Sequence, residues 1–367
     1  MPHFDEIGPE KMIEVYDAKT GMHGFLVIDN TALGPGKGGI RLTPTVTKDE
    51  VAALARVMTW KSSLAELPFG GAKAGIVADD KKITKREKED IIRAFARSIK
   101  EFCPSQYIAA PDMNTAEKEM AIFAEELGKK SCTGKPKSMG GLPHELGSTG
   151  FGVHEAAEIA AEFCGLGKNS NTVAIEGFGN VGYFSAKYLW EHGSKIVAVS
   201  DSRGTIYNEK GLDFRKLIDI KKKTGSVINY SPGKVLSNKD IIRVKSDILI
   251  TAAVPYLLTE NDVKDIKEKM IIEGSNIPMT EHVELLLHKK GILVVPDFVA
   301  NAGGVISSYV EYIGGNEKQM FKIIEEKIRK NTKLVLEKAK NAQQSPRHAA
   351  VEIAKERVLD KCESCRV

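Results

Sequence analysis

The sequence predicts an α/β protein of two domains, the second built on a doubly wound parallel sheet. Three observations carry this prediction. The 367 residues exceed what one hydrophobic core usually serves. From Thr172 onward, short apolar runs (TVAIEGFG, KIVAVSD, DILITAA, MIIEGS and ILVVPD) alternate with helical sequence. The first of those runs ends in a glycine-rich turn that opens a helix.

Composition narrows the function classes. Apolar residues make up 42% and charged residues 28%, the balance of an ordinary globular enzyme. The net charge of +4 is small, and the basic residues are spread rather than blocked, so no nucleic-acid partner is expected. No apolar run reaches membrane-spanning length, and the start, MPHFDEIGPE, is polar and acidic, unlike a signal peptide. A cytoplasmic protein without a membrane partner is the expectation. The five cysteines do not read as a disulfide framework. Cys362 and Cys365 form a C-x-x-C that has no second pair to complete a zinc site, and two thiols on a fraying tail are expected.

The first domain is expected over 1–147. Met22 to Ile28 reads as a strand, followed by a turn-rich stretch ending in GPGKGGIR. Thr47 and Glu50 form a capping box for a helix whose apolar stripe runs through Val51, Leu54, Val57, Met58 and on to Lys61. Thr84 and Glu87 cap a second helix that continues to about Phe102, and Tyr107 to Ala110 is a short strand ending at Pro111-Asp112. The dinucleotide-type domain is expected over 148–340. Helical sequence fills Asn316 to Lys340, and a last helix from Ala349 to Lys361 lies in a C-terminal segment, 347–367, expected to pack back on the first domain.

The turn after TVAIE is Gly177-Phe178-Gly179-Asn180-Val181-Gly182, a G-x-G-x-x-G between a buried-strand pattern and a helix. That context predicts a Rossmann-type dinucleotide site. Gly177 suits the tight turn, Gly179 lets a pyrophosphate approach, Gly182 allows strand and helix to pack closely, and the helix N-terminus offers free N–H groups. The next strand ends at Asp201, 19 residues beyond Gly182 (201 − 182). Asp201 would accept from the ribose hydroxyls of NAD, whereas Arg203 could accommodate the 2′-phosphate of NADP, so the coenzyme is NAD or NADP. Ser202, Ala252 and Ala253 at the end of DILITAA, and Asn276 in EGSNIPMT, are assigned to the same site.

Three lysines complete the pattern. Lys61 continues an apolar helix stripe, where a charge is costly unless paired or functional. Lys37 in GPGKGG and Lys73 in FGGAKAG are expected in glycine-rich loops, flanked by glycines that let a backbone crowd a ligand. Crowded, desolvated lysines lower one another's pKa, which makes an amine usable in proton transfer near neutral pH.

The segments GPGKGGIR, MTWKSSLAELPFGGAKAG, APDMNTAEKEM, GFGNVG, EGSNIPMT and VPDFVANAGGVISSYVEY resemble the glutamate/leucine/phenylalanine/valine dehydrogenase family from Met22 to about Tyr312. The lysine spacings, 24 and 12 (61 − 37 and 73 − 61), are similar as well. The resemblance implies a cleft between the two domains and a nicotinamide-dependent oxidative deamination. It implies that Lys73 polarises the substrate carbonyl and activates water, that Asp112 shuttles protons to and from the amino group, and that Lys61 holds the α-carboxylate. Thr149 would orient the nicotinamide amide, and Asn301 would lie at the cofactor end of the cleft.

Within that family, a lysine at Lys37 and a serine at Ser308 imply glutamate, because both would contact its γ-carboxylate. Ala110 and Val305 would line the same pocket. A buried lysine suits an anionic side chain and penalises an aliphatic one. A leucine or valine dehydrogenase is the alternative, and a non-catalytic regulatory paralogue a third reading, opposed by retention of Lys61, Lys73 and Asp112. The family implies a homo-oligomer, a hexamer ahead of an octamer or dimer. Three departures stand out. Only 36 residues precede Lys37, fewer than glutamate-type members usually carry. Glu145 occupies a place where an arginine is common, an argument for NAD if it faces the coenzyme. Ala74 follows Lys73 where glycine is commoner. With Lys73 and Asp112 filling the proton-transfer roles, His144 and His154 are expected as surface or packing residues, and no metal site is expected from the spacing of His, Cys and carboxylates.

Overall fold

The computed structural model describes residues 4–167, 171–363 and 365, with His144 described by its backbone only, so the expectation for its side chain lies outside the described residues. Two compact units result. One comprises Met1–Leu146, Val305–Met320 and Val351–Val367, and the other Gly147–Gly304 and Phe321–Ala350. The expected 148–340 domain therefore differs from the observed second unit: 305–320 groups with the first unit and 341–350 with the second. No helix among the described residues is long and apolar enough to cross a membrane.

The first unit begins with β1 (Lys11–Asp17), β2 (Met22–Asn30), β3 (Gly36–Thr43), α1 (Lys48–Leu64) and β4 (Gly70–Val77). It continues through α2 (Lys85–Ser98), β5 (Tyr107–Pro111) and α3 (Glu117–Leu127). The strands form one sheet in the order β1-β2-β4-β3-β5, with β3 parallel to both of its neighbours. Leu26, Ile40, Leu42, Ala72, Ala74 and Ile76 pack against Phe95 of α2 and Phe123 of α3. Phe25 and Val27 pack against Val51, Ala52 and Ala55 of α1. Each buried phenylalanine contributes roughly 1.5–3 kcal/mol through burial.

Two sequence expectations are corrected in this unit. The segments GPGKGGIR and GGAKAG are not loops; they are the adjacent strands β3 and β4. Their glycines are there for close approach: a Cβ at Gly71 would fall 2.3 Å from the Thr59 nitrogen of α1. The same closeness moves the buried stripe of α1 to Val51, Ala52, Ala55, Thr59, Ser62 and Ser63, whose small side chains let the helix rest on the sheet. Leu54, Val57, Met58 and Lys61 are only half-buried. Strand β1 was not foreseen, and α2 stops at Ser98, ahead of a separate short turn at Lys100–Phe102.

The second unit holds α4 (Ser148–Phe163), β6 (Thr172–Glu176), α5 (Asn180–Glu191), β7 (Lys195–Asp201) and β8 (Gly204–Tyr207). Then follow α6 (Phe214–Thr224), β9 (Lys234–Leu236), β10 (Ile248–Thr251), β11 (Met270–Glu273), α7 (Glu281–Lys289), β12 (Leu293–Val295) and α8 (Asp297–Ala300). The boundary between units falls inside α9 (Gly303–Tyr312), and α10 (Glu317–Asn341) and α11 (Pro346–Lys361) complete the chain. Seven strands run in the order β12-β11-β10-β6-β7-β8-β9. The five predicted strands are mutually parallel, and β8 and β9 extend the sheet as an antiparallel edge. Those two are too short and too polar to stand out in sequence.

The last turns of α11 belong to the first unit, where Ser63 Oγ donates to the Ala354 carbonyl at 2.7 Å and Arg357 donates to the carbonyls of Ser63 and Leu64. Cys362 and Cys365 are joined in a disulfide and Cys362 is buried, which corrects the expectation of two thiols on a fraying tail.

Candidate active site

Strand pleating gathers the functional side chains of the first unit. Lys37 lies opposite Gly71 and Ile108, Gly39 opposite Ala110, and Arg41 opposite Gly75. With a two-residue period, Lys37, Arg41, Lys73 and Ala110 therefore share one face of the sheet, the face that α1 partly covers. Asp112 follows directly on β5.

Lys73 Nζ lies 2.9 Å from Asp112 Oδ2, and Arg41 Nε donates to the same oxygen at 3.0 Å. Arg41 reaches on to Glu50 Oε1 at 2.6 Å, so Glu50 does not close the expected capping box; Thr47 caps α1 alone through the Glu50 N–H. Burial pushes the Lys73 amine below its ordinary pKa, opposed by Asp112 and reinforced by Arg41. Burial would raise the Asp112 carboxyl, but Lys73 and Arg41 overcome it and hold it below its usual value. A half-buried acid and a buried amine in direct contact, with shifted affinities, form a proton-transfer pair.

Lys37 is 1% exposed. Its amine donates to the Ala109 carbonyl at 2.7 Å and more weakly to that of Ile108. Burial lowers its pKa to about 7, against the pull of Cys132 and Glu311. Beside it, Glu311 of α9 accepts from Lys135 Nζ at 2.6 Å and from the N–H groups of Gly134, Lys135 and Leu142. Phe69 packs edge-on against Tyr309 and Tyr312 of the same helix. These contacts anchor the helix carrying Val305, which is buried, and Ser308, one turn before Glu311 and half-buried. Lys61 sits half-buried in the last turn of α1.

With Lys37 and Lys73 both protonated, four cations (Lys37, Arg41, Lys73, Lys135) stand against three acids (Glu50, Asp112, Glu311) in this cluster, one net positive charge. Such a site favours an anionic ligand.

The second unit carries the nucleotide features. Gly177 adopts φ +89°, and a Cβ at Gly182 would fall 1.9 Å from the Gly177 carbonyl oxygen, so both glycines are required where β6 turns into α5. Space beside Gly179 is open. Ala252 and Ala253, just after β10, lie against Gly177. Because β10 and β7 flank β6 on opposite sides, this turn stands at the switch point of the sheet, where such folds take up ligands. Phe178 is buried against Tyr183 and Phe214, while Asn180 and Val181 begin α5. Thr149 is in the first turn of α4, with Oγ1 facing Gly304. Asn301 donates to Asn276 Oδ1 at 3.0 Å and its own Oδ1 is buried without a partner. An open glycine turn at a helix N-terminus and an orphaned buried acceptor fit a dinucleotide with an amide head.

At Asp201 the structure departs from expectation. Oδ1 accepts from the Arg203 N–H and Ser226 Oγ, and Oδ2 from Lys221 Nζ and the Val227 N–H. These four donors take up the carboxylate's usual acceptor capacity, leaving little for ribose hydroxyls. Ser202 is exposed beside it, and Glu145 is exposed in the turn before α4.

Sequence reasoning missed Arg41, Glu50, Lys135 and Glu311 in the first unit. Arg41 stands four residues from Lys37 on a strand, an even spacing that signals a shared face once the segment is seen as a strand. Glu311 is the one charged residue in SSYVEY. Glu176 was also missed: at the end of β6 it is buried and accepts from the N–H groups of Ala252 and Ala253 at 3.0 Å, fixing the turn against Gly177.

Residues 9–129 match the family description Glu/Leu/Phe/Val dehydrogenase, dimerisation domain, and residues 140–364 match Glutamate/Leucine/Phenylalanine/Valine dehydrogenase. A glutamate dehydrogenase of Aeropyrum pernix is 44% identical over 348 residues, covering 90% of this chain and 83% of that protein. An NADP-specific glutamate dehydrogenase of Saccharolobus shibatae is 40% identical over 375 aligned positions, 96% of this chain and 88% of the relative. Among solved structures, the hetero-hexameric glutamate dehydrogenase of Thermus thermophilus in its Leu-bound form superposes with a TM-score of 0.84 at 27% identity, covering 96% of this chain and 89% of that one.

Proposed function

The chain belongs to the glutamate/leucine/phenylalanine/valine dehydrogenase family, and from that premise we propose that it converts L-glutamate, water and NAD(P)+ reversibly to 2-oxoglutarate, ammonium, NAD(P)H and a proton. The observation that supports glutamate over an aliphatic substrate is Lys37, a buried amine whose hydrogen bonds, among the described residues, go only to backbone carbonyls, in a cluster where basic side chains outnumber acidic ones. A γ-carboxylate gives that charge a partner; a methyl group leaves it buried alone, which is the arrangement specificity exploits.

In this reading Lys61 holds the α-carboxylate and Lys37, with Ser308, the γ-carboxylate, while Ala110 and Val305 form the pocket wall between them. When bound, the nicotinamide coenzyme would supply the hydride acceptor for the substrate Cα. Lys73 in its neutral form takes a proton from the water that attacks the resulting iminium carbon. Asp112, pinned by Arg41 and Lys73 through Oδ2, takes a proton from the substrate ammonium before the hydride leaves and returns it to the amine as the C–N bond breaks; the carbinolamine hydroxyl proton goes to the released ammonia, and Lys73 passes the water's proton through Asp112, 2.9 Å away, to solvent. Thr149 and Asn301 would hold the coenzyme's amide, and the Gly177–Gly182 turn its pyrophosphate.

Asp201 is neutralised by Lys221 and flanked by Ser202 and Arg203, a setting that suits a 2′-phosphate. NADPH should therefore serve at least as well as NADH. Replacing Arg203 by alanine should lower kcat/KM for NADPH by about tenfold and leave that for NADH within about twofold. We also infer a homo-oligomer, a hexamer, from the matched dimerisation domain and the hexameric relative.

The test is ammonium-dependent oxidation of NADH and NADPH with 2-oxoglutarate and 4-methyl-2-oxopentanoate side by side. Turnover of 2-oxoglutarate should exceed that of the aliphatic acid by about 10²-fold or more; the reverse order makes the chain a leucine-type enzyme.

The Lys37 amine adds a pH dependence. Its pKa of about 7 lies below the ordinary value, so the folded protein carries this ammonium only below about pH 7. Binding of the γ-carboxylate needs the charged form. The dissociation constant of 2-oxoglutarate should therefore be flat below about pH 7 and rise by up to tenfold per pH unit above it, until the raised pKa of the complex is reached. Folding stability has the opposite slope: the unfolded chain binds the extra proton between about pH 7 and 10.5, so this group's destabilising contribution, full below pH 7, fades as pH rises through that window. In Lys37→Leu both slopes should flatten, which titration and thermal unfolding across pH would show.

A further inference from the structure

Away from the site just described, the second unit buries a histidine whose ring has nothing to bind. His154, in the middle of α4, is fully buried, and among the described residues neither Nδ1 nor Nε2 has a hydrogen-bond partner. The carboxylate nearest to its Nε2 among the described ion pairs is Glu155 Oε1 at 3.6 Å, beyond hydrogen-bond length, and Glu155 is engaged by Arg329 at 2.8 Å. A buried polar ring without partners is costly, and an ion is one of the few things that resolve it.

Two further ligand-type side chains converge there. Glu158 follows His154 by four residues, one helical turn further along the same face of α4. His192 caps the C-terminus of α5, with its ring centroid 4.5 Å from that of His154. One ligand atom from each of the three lies within 4.8 Å of the other two. We propose that His154, Glu158 and His192 form a binding site for a divalent transition metal of the zinc type, with water as the fourth ligand.

The donor set selects the metal. Two imidazoles and one carboxylate suit zinc, cobalt or nickel; calcium and magnesium demand oxygen ligands, and copper(I) prefers thiolates. A tetrahedral set with bonds of about 2.0–2.1 Å places its ligand atoms about 3.4 Å apart. The ligands must therefore close by up to about 1.4 Å (4.8 − 3.4), which rotation of the exposed His192 and the half-buried Glu158 supplies. Phe151 and Tyr188 line the His154 ring. The spacing along the chain could not reveal this group, because His192 arrives from a different helix; the expectation of no metal site is revised accordingly.

A metal here would tie α4 to α5, the two helices whose N-termini carry Thr149 and the Gly177–Gly182 turn, and would stabilise the second unit irrespective of the reaction. The test uses the full-length protein stripped with chelator and titrated with zinc, with His192→Ala and Glu158→Gln as variants; both lie toward the surface and should fold. Wild type should bind one zinc per chain, its thermal midpoint should rise with zinc, and cobalt should give the intense visible bands of a four-coordinate site. Each variant should bind zinc about 10–100-fold more weakly and lose the thermal shift. No saturable zinc binding by wild type, or binding that both variants leave unchanged, overturns the proposal.

Discussion

Lys73→Met should lower kcat by about three to four orders of magnitude while changing substrate affinity by less than about tenfold. The methionine keeps most of the stem's volume and removes only the amine, so the packing of β4 between β2 and β3 is retained. Asp112 keeps Arg41 at 3.0 Å and does not become a buried charge without a partner. What disappears is the group that takes the water's proton and exchanges it with Asp112. Because Asp112 loses one of the two cations that hold its carboxyl down, its pKa should rise and the acidic limb of the kcat profile should move to higher pH. Steady-state kinetics over pH and an unchanged circular dichroism spectrum make the check. A loss of less than about tenfold would mean that proton transfer is handled elsewhere.

The second large effect separates substrate choice from chemistry. Lys37→Leu should reduce kcat/KM for 2-oxoglutarate by about 10²–10³, the scale of about 3–4 kcal/mol for removing one partner of a buried charged contact. The γ-carboxylate would then face the carbonyls of Ala109 and Ile108 with no intervening cation. For 4-methyl-2-oxopentanoate the same change should be neutral or favourable, since it removes a buried charge that this substrate cannot satisfy. The variant should also be more stable than wild type below about pH 7, where the Lys37 ammonium is held in the interior against its burial cost. Equal losses for both acids would place the γ-carboxylate somewhere other than Lys37.

How far the sequence reached depended on whether a function sat in one contiguous segment. The turn from Gly177 to Gly182 was legible because its strand, turn and helix are consecutive and each glycine has a local reason to be there. Lys37 and Lys73 were legible as chemistry but not as structure. Their glycines suggest loops by local propensity, yet β3 and β4 are central strands in which glycine admits α1 and the neighbouring backbone. The stripe on α1 was misplaced for a related reason: Thr59, Ser62 and Ser63 are buried because they are small, and hydrophobic periodicity does not register small polar residues. Arg41–Glu50 and Lys135–Glu311 were invisible, since each pair joins elements whose proximity depends on tertiary packing. Asp201 shows the same limit at a position that was named: its place at the end of β7 was foreseen, but the donors that saturate it come from α6 and the turn after it.

In the proposed reaction Lys73 and Asp112 perform the chemistry and Lys37 chooses the substrate. A crystal structure of the protein with 2-oxoglutarate tests that division most directly. The C5 carboxylate should lie within about 2.7–3.0 Å of Lys37 Nζ, with the C1 carboxylate on Lys61 and the C2 carbonyl oxygen toward Lys73. A C5 carboxylate directed to solvent, or a molecule bound the other way round with C1 on Lys37, would contradict it.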